Sequence, residues 1–332
     1  MAGGRARRVR QARHPAQFAA IAECASIGRH PDGPARRRAG PARWPCRLAH
    51  ALHPAGSRAR ARRCRAKRVA LAMDRVEANG ISIGFRRSGE GPPLFLLHGA
   101  EADHSMFDAF GAALARYFTV IAYDQRDSGA TLNPPEPYGL GELADDLAAL
   151  IAALGYGRAH VFGTSFGGVI AQVAAVRHPA RIDRLVLAST FRVGVSVASI
   201  NPEGFPRFAE LRARLPESLP AFAEYFFAPG YIAAHPEALR LFTDNKRDAR
   251  QRERRGAVLG QPIAISLEAI KAPTLVLAGS EDRLIPPVHT ISLAQEIPGA
   301  RSAVIEGVGH VGTIQDPAAV AARVREFLQR KD

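Results

Sequence analysis

A pentapeptide in the middle of the chain, Gly163-Thr164-Ser165-Phe166-Gly167, fits the pattern G-x-S-x-G and constrains the fold more than any other segment. This pattern is typical of a sharp strand-to-helix turn that lifts a nucleophilic serine above a parallel sheet. Glycines are needed because a serine in a strained backbone conformation leaves no room for Cβ atoms two residues to either side. Residues 159–162 before the turn favour a buried strand, and residues 168–176 after it favour a helix. The flanks therefore supply the context that the motif requires.

A serine hydroxyl is a poor nucleophile near neutral pH, so Ser165 needs a base to accept its proton and an acid to orient that base. In the fold that uses this turn, the acid and then the histidine follow the serine along the chain. Asp282 comes just after the apolar run 272–279, and His310 lies in a glycine-containing loop after residues 303–306. We predict that Asp282 is the acid and His310 the base. Glu281 remains an alternative acid, and either carboxylate could instead cap the next helix.

Acyl transfer also needs hydrogen-bond donors for the oxyanion of the tetrahedral intermediate. The first predicted donor is the backbone N–H of Phe166, directly after the serine, and the second comes from the loop after an earlier strand. Residues 92–97 favour that strand, and Gly99 after it lets the chain turn so that the Ala100 N–H reaches the site. The side chain of His98 is predicted to be a structural hydrogen-bonding group, because His310 already provides a base.

Strand-like and helix-like segments alternate through most of the chain after residue 72, which predicts parallel β-α-β units. Residues 82–87 alternate in polarity and predict an opening hairpin, and residues 140–154 place apolar side chains on one helical face. Further strands are predicted at 118–123 and 181–188, and a closing helix at 318–328. About 260 residues are ample for one buried core.

Residues from about 73 to 332 resemble the α/β-hydrolase superfamily. The motifs that carry the resemblance are LLHGA at 96–100, YDQRDSGAT at 123–131, GTSFGG at 163–168, AGSEDRLIPP at 278–287 and GVGH at 307–310. The resemblance implies a twisted, mostly parallel sheet of about eight strands, helices on both faces, and a small helical cap inserted after the sixth strand. Family members with aspartate at the turn, such as haloalkane dehalogenases and epoxide hydrolases, differ from this chain, which has Ser165. Another departure is Asp127, where many members carry glycine, and we interpret it as closing a tight turn.

The predicted domain organisation is a core of residues 73–190 and 267–332, with the cap at 191–266. In the cap region prolines interrupt short helical patterns, and its many aromatic side chains either line an apolar cavity or form the cap's own small core. Residues 246–255 carry six cations and two anions. This basic run could steer an anionic substrate, but a solvated helix face is the favoured interpretation.

Residues 1–72 have a different composition from the rest of the chain. They carry 18 Lys and Arg against two acidic residues, which leaves residues 73–332 with a net charge of −2 although the full chain has +14. All three cysteines lie before residue 73, so the hydrolase-like part has no disulfide. The Arg-rich composition predicts disorder. A nucleic-acid-binding tail, a transit peptide and an over-extended gene start ahead of Met73 are the alternatives, and the last is favoured.

The predicted function is that of a serine hydrolase acting on a small carboxylic ester or lactone, with no cofactor and no metal. Carbon–carbon bond hydrolysis, perhydrolysis or acyl transfer on the same residues are alternatives, and a ligand receptor without turnover is a further one. No run approaches the roughly 20 apolar residues needed to span a bilayer. A cytoplasmic enzyme with no membrane partner is therefore expected, and nucleic acid is a partner only if the basic segment is part of the protein.

Overall fold

In the computed structural model, which describes residues 73–243, 247–259, 261 and 263–330, eight strands form a single sheet. The strands are β1 (Asp74–Ala78), β2 (Ile81–Ser88), β3 (Pro93–Leu97), β4 (Thr119–Tyr123), β5 (Ala159–Thr164), β6 (Ile182–Ala188), β7 (Thr274–Gly279) and β8 (Arg301–Ile305). Their order is β1-β2-β4-β3-β5-β6-β7-β8. The predictions for residues 1–72 lie outside the described residues.

The sheet is mostly parallel, as predicted. β2 pairs antiparallel with β1 and β4, while every other neighbouring pair is parallel. Strand β3 lies between β4 and β5 and is parallel to both, so the next strands along the chain are added on opposite sides of β3. In open parallel sheets, ligands bind at the carboxyl ends of the strands beside such a switch point. Ser165 directly follows β5 and therefore lies at this point.

Helices flank the sheet wherever the chain crosses between parallel strands. Outside the segment between β6 and β7, the helices are α1 (Asp108–Leu114), α2 (Leu140–Ala153), α3 (Phe166–Arg177), α10 (Pro287–Ile291), α11 (Leu293–Glu296), α12 (Gly312–Gln315) and α13 (Pro317–Leu328). On α2, the buried face contains Leu143, Leu147, Leu150 and Ile151, spaced as one helical stripe. α3 lies almost wholly in the core, which explains its small apolar residues.

Residues 191–266, which lie between β6 and β7, are called the insert. Its helices are α4 (Val197–Ile200), α5 (Gly204–Ala213), α6 (Leu219–Ala223), α7 (Tyr231–Ala234), α8 (Arg240–Thr243) and α9 (Ala249–Leu259), and its described residues contain no strand. Phe208 packs on Phe222 at 5.0 Å between ring centroids, and Phe226 on Phe242 at 4.8 Å. These packed rings give the insert an apolar centre of its own.

Across the described residues, every helix is too short or too polar to cross a membrane.

Candidate active site

Ser165 sits on the sharp turn between β5 and α3. Its backbone has φ 54° and ψ −124°, a strained conformation for a residue with a side chain. The flanking glycines are explained by close backbone contacts: a Cβ on Gly163 would lie 2.4 Å from the Gly167 oxygen, and one on Gly167 would lie 2.2 Å from the Leu97 oxygen. The turn is held in place because the Ser165 N–H donates to the Ala188 oxygen at 3.0 Å. The serine side chain is thus presented to a cavity above the sheet.

Asp282 and His310 follow β7 and β8, the two strands beyond β6. His310 Nδ1 donates to Asp282 Oδ2 at 2.8 Å, and both side chains are buried. The other carboxylate oxygen accepts from the N–H groups of Leu284 and Ile285 at 3.0 and 2.8 Å. Glu281, the alternative acid, is exposed. Because Nδ1 carries the proton, His310 Nε2 is left with a lone pair, and this buried atom has no hydrogen-bond partner among the described residues.

Ser165 and His310 line the same cavity, which has a volume of about 430 Å³. Most of its wall is apolar and comes from the insert and the loop after β7. The larger apolar side chains of this wall are Met106, Phe166, Phe191, Val197, Phe205, Phe208, Phe226, Leu241, Phe242, Leu284, Ile285 and Val311. Two charged residues, Glu101 and Arg212, also line the cavity. They form an ion pair, with 2.5 Å between Arg212 Nη2 and Glu101 Oε1. The aromatic residues of the insert therefore fill both roles left open by the sequence, since they pack together and also line the cavity.

The two predicted oxyanion donors also border this cavity. Phe166 is the first residue of α3, and the first N–H groups of an α-helix have no acceptor within the helix. Gly99 and Ala100 come from the loop after β3, and a Cβ on Gly99 would lie 3.4 Å from the Ser165 Cβ. The backbone hydrogen bonds of the described residues include none donated by the Ala100 N–H. The segments that contain both predicted donors thus lie next to Ser165 at the cavity.

His98 has the structural role predicted for it. It is fully buried, its Nδ1 donates to the Gly99 oxygen at 2.8 Å, and its Nε2 accepts from the Gln125 N–H at 3.3 Å. Burial and the positive charge of Arg255 hold the pKa of His98 well below its usual value. A neutral ring with its proton on Nδ1 satisfies both contacts.

The basic run of the insert, predicted as a solvated helix face, is solvated only in part: Asp248, Arg250, Arg252 and Glu253 are exposed, whereas Arg247 and Arg255 are buried. Arg247 and Arg255 are 7% and 3% exposed, and their guanidinium groups donate to backbone oxygens in the loops after β3 and β4. Burial and the nearby Arg255 lower the pKa of Arg247 to about 10, so that it stays charged at neutral pH. Composition predicts exposure for such a run, because charged side chains are rarely buried.

Asp127, the departure in the third motif, does more than close a turn. Its φ of 56° fits the predicted tight turn. Its carboxylate also pairs with Arg254 of α9, with both oxygens within 2.9 Å of guanidinium nitrogens. Burial raises the pKa of this carboxyl, but the hydrogen bonds from Arg254, Tyr138 and Asn133 outweigh burial and lower it overall. This ion pair attaches the insert to the loop after β4.

One cluster of the described residues has the side-chain types of a metal site. Ligand atoms of Asp103, His104 and Asp124 lie within 4.8 Å of one another. They are already engaged, however: Asp124 accepts from the backbone and ring of His104 and from the Ala130 N–H, and Asp103 accepts from Ser105. These contacts fix the loops after β3 and β4, which is a structural role.

Comparisons with known proteins agree with this geometry. A model of the alpha/beta hydrolase fold family matches residues 92–317. The chain is 32% identical to a poly(3-hydroxyalkanoate) depolymerase from Ectopseudomonas oleovorans over 246 residues, which cover 72% of this chain and 85% of the depolymerase.

Two solved structures are also similar. A hydrolase from Pseudomonas aeruginosa PA01 is 31% identical with a TM-score of 0.66, and the match covers 79% of this chain and 100% of that one. An enol-lactonase from Burkholderia xenovorans LB400 is 26% identical with a TM-score of 0.66, and the match covers 77% and 100% of the two chains. These three similar proteins are thus a depolymerase, a hydrolase and an enol-lactonase.

Proposed function

Since this chain belongs to the alpha/beta hydrolase fold family, we propose that it is a serine hydrolase that cleaves a small carboxylic ester or lactone. In this proposal Ser165 is the nucleophile, His310 the general base and acid, and Asp282 the group that orients His310. The backbone N–H groups of Phe166 and Ala100 bind the oxyanion.

The observation that carries the proposal is the state of the His310 ring. Its Nδ1 is bound to Asp282, while its buried Nε2 lacks a partner among the described residues and lies in the wall of the cavity that also contains Ser165. An unsatisfied buried nitrogen is costly unless a functional partner compensates for it. A proton shared with the hydroxyl of a reacting serine would be such a partner.

The reaction begins when His310 Nε2 accepts the proton of Ser165 Oγ as the oxygen attacks the carbonyl carbon of the substrate. The carbonyl oxygen becomes negatively charged and accepts hydrogen bonds from the Phe166 and Ala100 amides, which stabilise the tetrahedral intermediate. The C–O bond to the leaving group then breaks, and His310 protonates the departing alkoxide. Water, activated by His310, attacks the acyl-enzyme and releases the acid and free Ser165.

The cavity supports a neutral, apolar substrate. Its wall is dominated by aliphatic and aromatic side chains, and the charges of Glu101 and Arg212 compensate each other. A volume of about 430 Å³ lies in the range of pockets for small molecules. A depolymerase of a polyester and an enol-lactonase are among the similar proteins, which favours ester and lactone substrates for this chain as well.

Two other reactions use the same residues, and both stay open as alternatives. Carbon–carbon bond hydrolysis would release a carbon acid instead of an alcohol, and product analysis distinguishes it. Perhydrolysis or acyl transfer would divide the acyl-enzyme between water and a second nucleophile, which a partition experiment measures.

The test is an assay of the full chain against p-nitrophenyl esters and aliphatic lactones, beside Ser165→Ala. We expect turnover by the wild-type protein and a fall in kcat of about 10⁴- to 10⁶-fold in the variant. Ser199→Ala, at an exposed serine of the insert, serves as the control and should keep full activity. Equal turnover in Ser165→Ala would overturn the assignment of the nucleophile.

A further inference from the structure

The loop that contains Ala100 is held by a guanidinium group from the insert. Arg255, on α9, donates from Nε to the Ala100 oxygen at 3.2 Å, and its Nη2 lies 3.5 Å from the Gly99 oxygen. Arg247 also binds this loop, since its two terminal nitrogens donate to the oxygens of Ala100 and Ala102 at 2.7 and 2.6 Å. The carbonyl groups that precede and follow the Ala100 Cα, those of Gly99 and Ala100, are thus both bound by arginine side chains of the insert.

These contacts determine where the Ala100 N–H points. A trans peptide unit is planar, with its C=O and N–H directed to opposite sides. The Gly99 oxygen accepts from His98 Nδ1 at 2.8 Å and faces Arg255. The Ala100 N–H of the same peptide unit therefore points away from these two groups. Rotation of this unit would require the Gly99 carbonyl to leave its partners in a buried environment, where an unsatisfied carbonyl is costly.

The same guanidinium is anchored firmly on its other sides. Arg255 Nη2 donates to Gln125 Oε1 at 2.5 Å, and Nη1 donates to the Arg126 oxygen at 3.1 Å. Its carbon Cζ also lies 5.0 Å from the centre of the Phe166 ring, which is within the range of a cation–π contact. One side chain therefore touches Phe166, Gly99 and Ala100, the segments that contain both proposed oxyanion donors.

We propose that Arg255 is a positioning residue that holds the Ala100 and Phe166 amides at the spacing required by the oxyanion, an inference that rests on the proposed function. Arg255 acts through the backbone and does not touch the reacting atoms. Arginine suits this role because its rigid fork of donors can bind several oxygens in one plane. The insert then has a second task besides lining the cavity, since it completes the geometry of the loop after β3.

The kinetic test compares Arg255→Met with Arg254→Met. Methionine keeps a long apolar side chain but removes every donor. Arg254 provides the matched control because it lies next to Arg255 on α9 and binds Asp127 instead of the loop with Ala100. We expect Arg255→Met to lower kcat for a p-nitrophenyl ester by about 10- to 100-fold, less than the ~10²–10³-fold loss that follows removal of an oxyanion donor. KM should change little, and Arg254→Met should keep the wild-type kcat.

A transition-state analogue gives a readout that loss of packing would not reproduce. A trifluoromethyl ketone forms a hemiketal with Ser165 whose oxyanion occupies the position between the two amides. Its inhibition constant should rise in Arg255→Met by the same factor by which kcat falls, because both depend on oxyanion binding. A rise in KM with unchanged kcat and unchanged inhibition would overturn the inference.

Arg255→Lys separates bridging from charge, and it also serves if the methionine variant does not fold. Lysine retains the positive charge but cannot bind the Ala100 and Gln125 oxygens in one plane. We expect only a partial recovery of kcat. Full wild-type kcat in Arg255→Lys would mean that the charge alone is sufficient and would overturn positioning by bridging.

Amide hydrogen exchange tests the loop independently of turnover. Peptides that cover residues 98–103 should exchange faster in Arg255→Met than in Arg254→Met. If the wild-type protein hydrolysed none of the esters or lactones while this difference persisted, the proposed function would fail and the positioning of the loop would stand. Equal exchange in the two variants would overturn the inference, whatever the activity.

Discussion

Both oxygens of Asp282 are engaged, and each has a separate task. Oδ2 accepts from His310, while Oδ1 accepts from the N–H groups of Leu284 and Ile285. The two amides fix the orientation of the carboxylate, and the carboxylate fixes the tautomer of the imidazole. The unpartnered Nε2 of His310 is the result.

We expect Asp282→Asn to lower kcat by about 10⁴-fold with little change in KM. The amide oxygen would keep the contacts with Leu284 and Ile285, so that the NH₂ group would face His310 Nδ1. The ring would then carry its proton on Nε2 and could not accept one from Ser165. Steady-state kinetics measures the loss, and Glu281→Gln, which changes an exposed neighbour, is the control. A large loss in the control would point to Glu281 as the acid.

His98 makes a second side-chain prediction, which concerns pH. Its pKa is depressed in the native protein by burial and by Arg255, so below about pH 6.5 the unfolded chain binds a proton that the native state does not. The free energy of unfolding therefore decreases as the pH falls below this value. In His98→Asn, whose amide can still donate to the Gly99 oxygen, this contribution disappears.

Urea unfolding between pH 5 and pH 8 tests the prediction for His98. Below pH 6.5, the unfolding free energy of the wild-type protein should fall more steeply than that of His98→Asn, by up to ~1.4 kcal/mol per pH unit. Above that pH the two curves should run parallel. Curves that are parallel at every pH would contradict a neutral native His98.

The sequence identified Ser165, Asp282 and His310 because a short motif and a fixed order along the chain place such residues at the ends of neighbouring strands. The structure brings them to one corner of the sheet, while their roles stay predictions. Arg247 and Arg255 could not be identified in this way. Their burial depends on backbone oxygens more than 100 residues earlier in the chain, and no local pattern records those contacts.

Among the elements, the strands and long helices agree with the sequence prediction to within a few residues. β4, predicted at 118–123, spans Thr119–Tyr123, and α2, predicted at 140–154, spans Leu140–Ala153. Alternating or helical periodicity is strong in these segments because one face is buried. The insert was predicted less completely, since its helices are short and pack on aromatic rings from other helices. The prolines predicted where the helices of the insert end, but they did not predict which helix faces pack against each other.

The wall that the insert contributes to the cavity should set the preference for acyl-chain length. Each added CH₂ that enters an apolar cavity contributes about 0.8 kcal/mol, or roughly a fourfold gain in kcat/KM. We expect kcat/KM to rise along a series of p-nitrophenyl esters until the cavity is full. Val197→Phe, which adds a ring to the wall formed by α4, should stop this rise at a shorter chain and keep activity on the acetate ester. An unchanged chain-length profile would contradict this placement of the acyl group.

The chain as a whole combines two parts with opposite net charge. Residues 1–72 are strongly basic, and the remainder has a net charge of −2. The described part of residues 73–330 contains all eight strands, the three residues of the proposed triad and the contacts of the insert. The family predicted from five motifs is confirmed, and so is the mostly parallel eight-stranded sheet. Composition alone would have described a basic protein, because it averages over both parts.

We expect a chain that begins at Met73 to keep the kcat, KM and melting temperature of the full protein. At pH 7 and low salt, the full chain should be retained on heparin, while the shorter one should pass through, because electrostatic binding to a polyanion follows the density of cationic groups. Chromatography and the ester assay on both proteins provide the measurement. Loss of activity in the shorter chain would show that residues 1–72 contribute to the hydrolase, contrary to the organisation expected from the sequence.

The contacts of Arg247 and Arg255 limit how this protein can be redesigned. An insert exchanged for that of a relative would bring a new cavity wall, but it would also remove the donors that hold the Gly99 and Ala100 carbonyl oxygens. Chimaeras in which only the cavity-lining residues are replaced should therefore tolerate exchange better than those that replace residues 247–255. Exchange of the whole insert would thus change substrate preference and turnover rate together, because the same segment lines the cavity and contains Arg247 and Arg255.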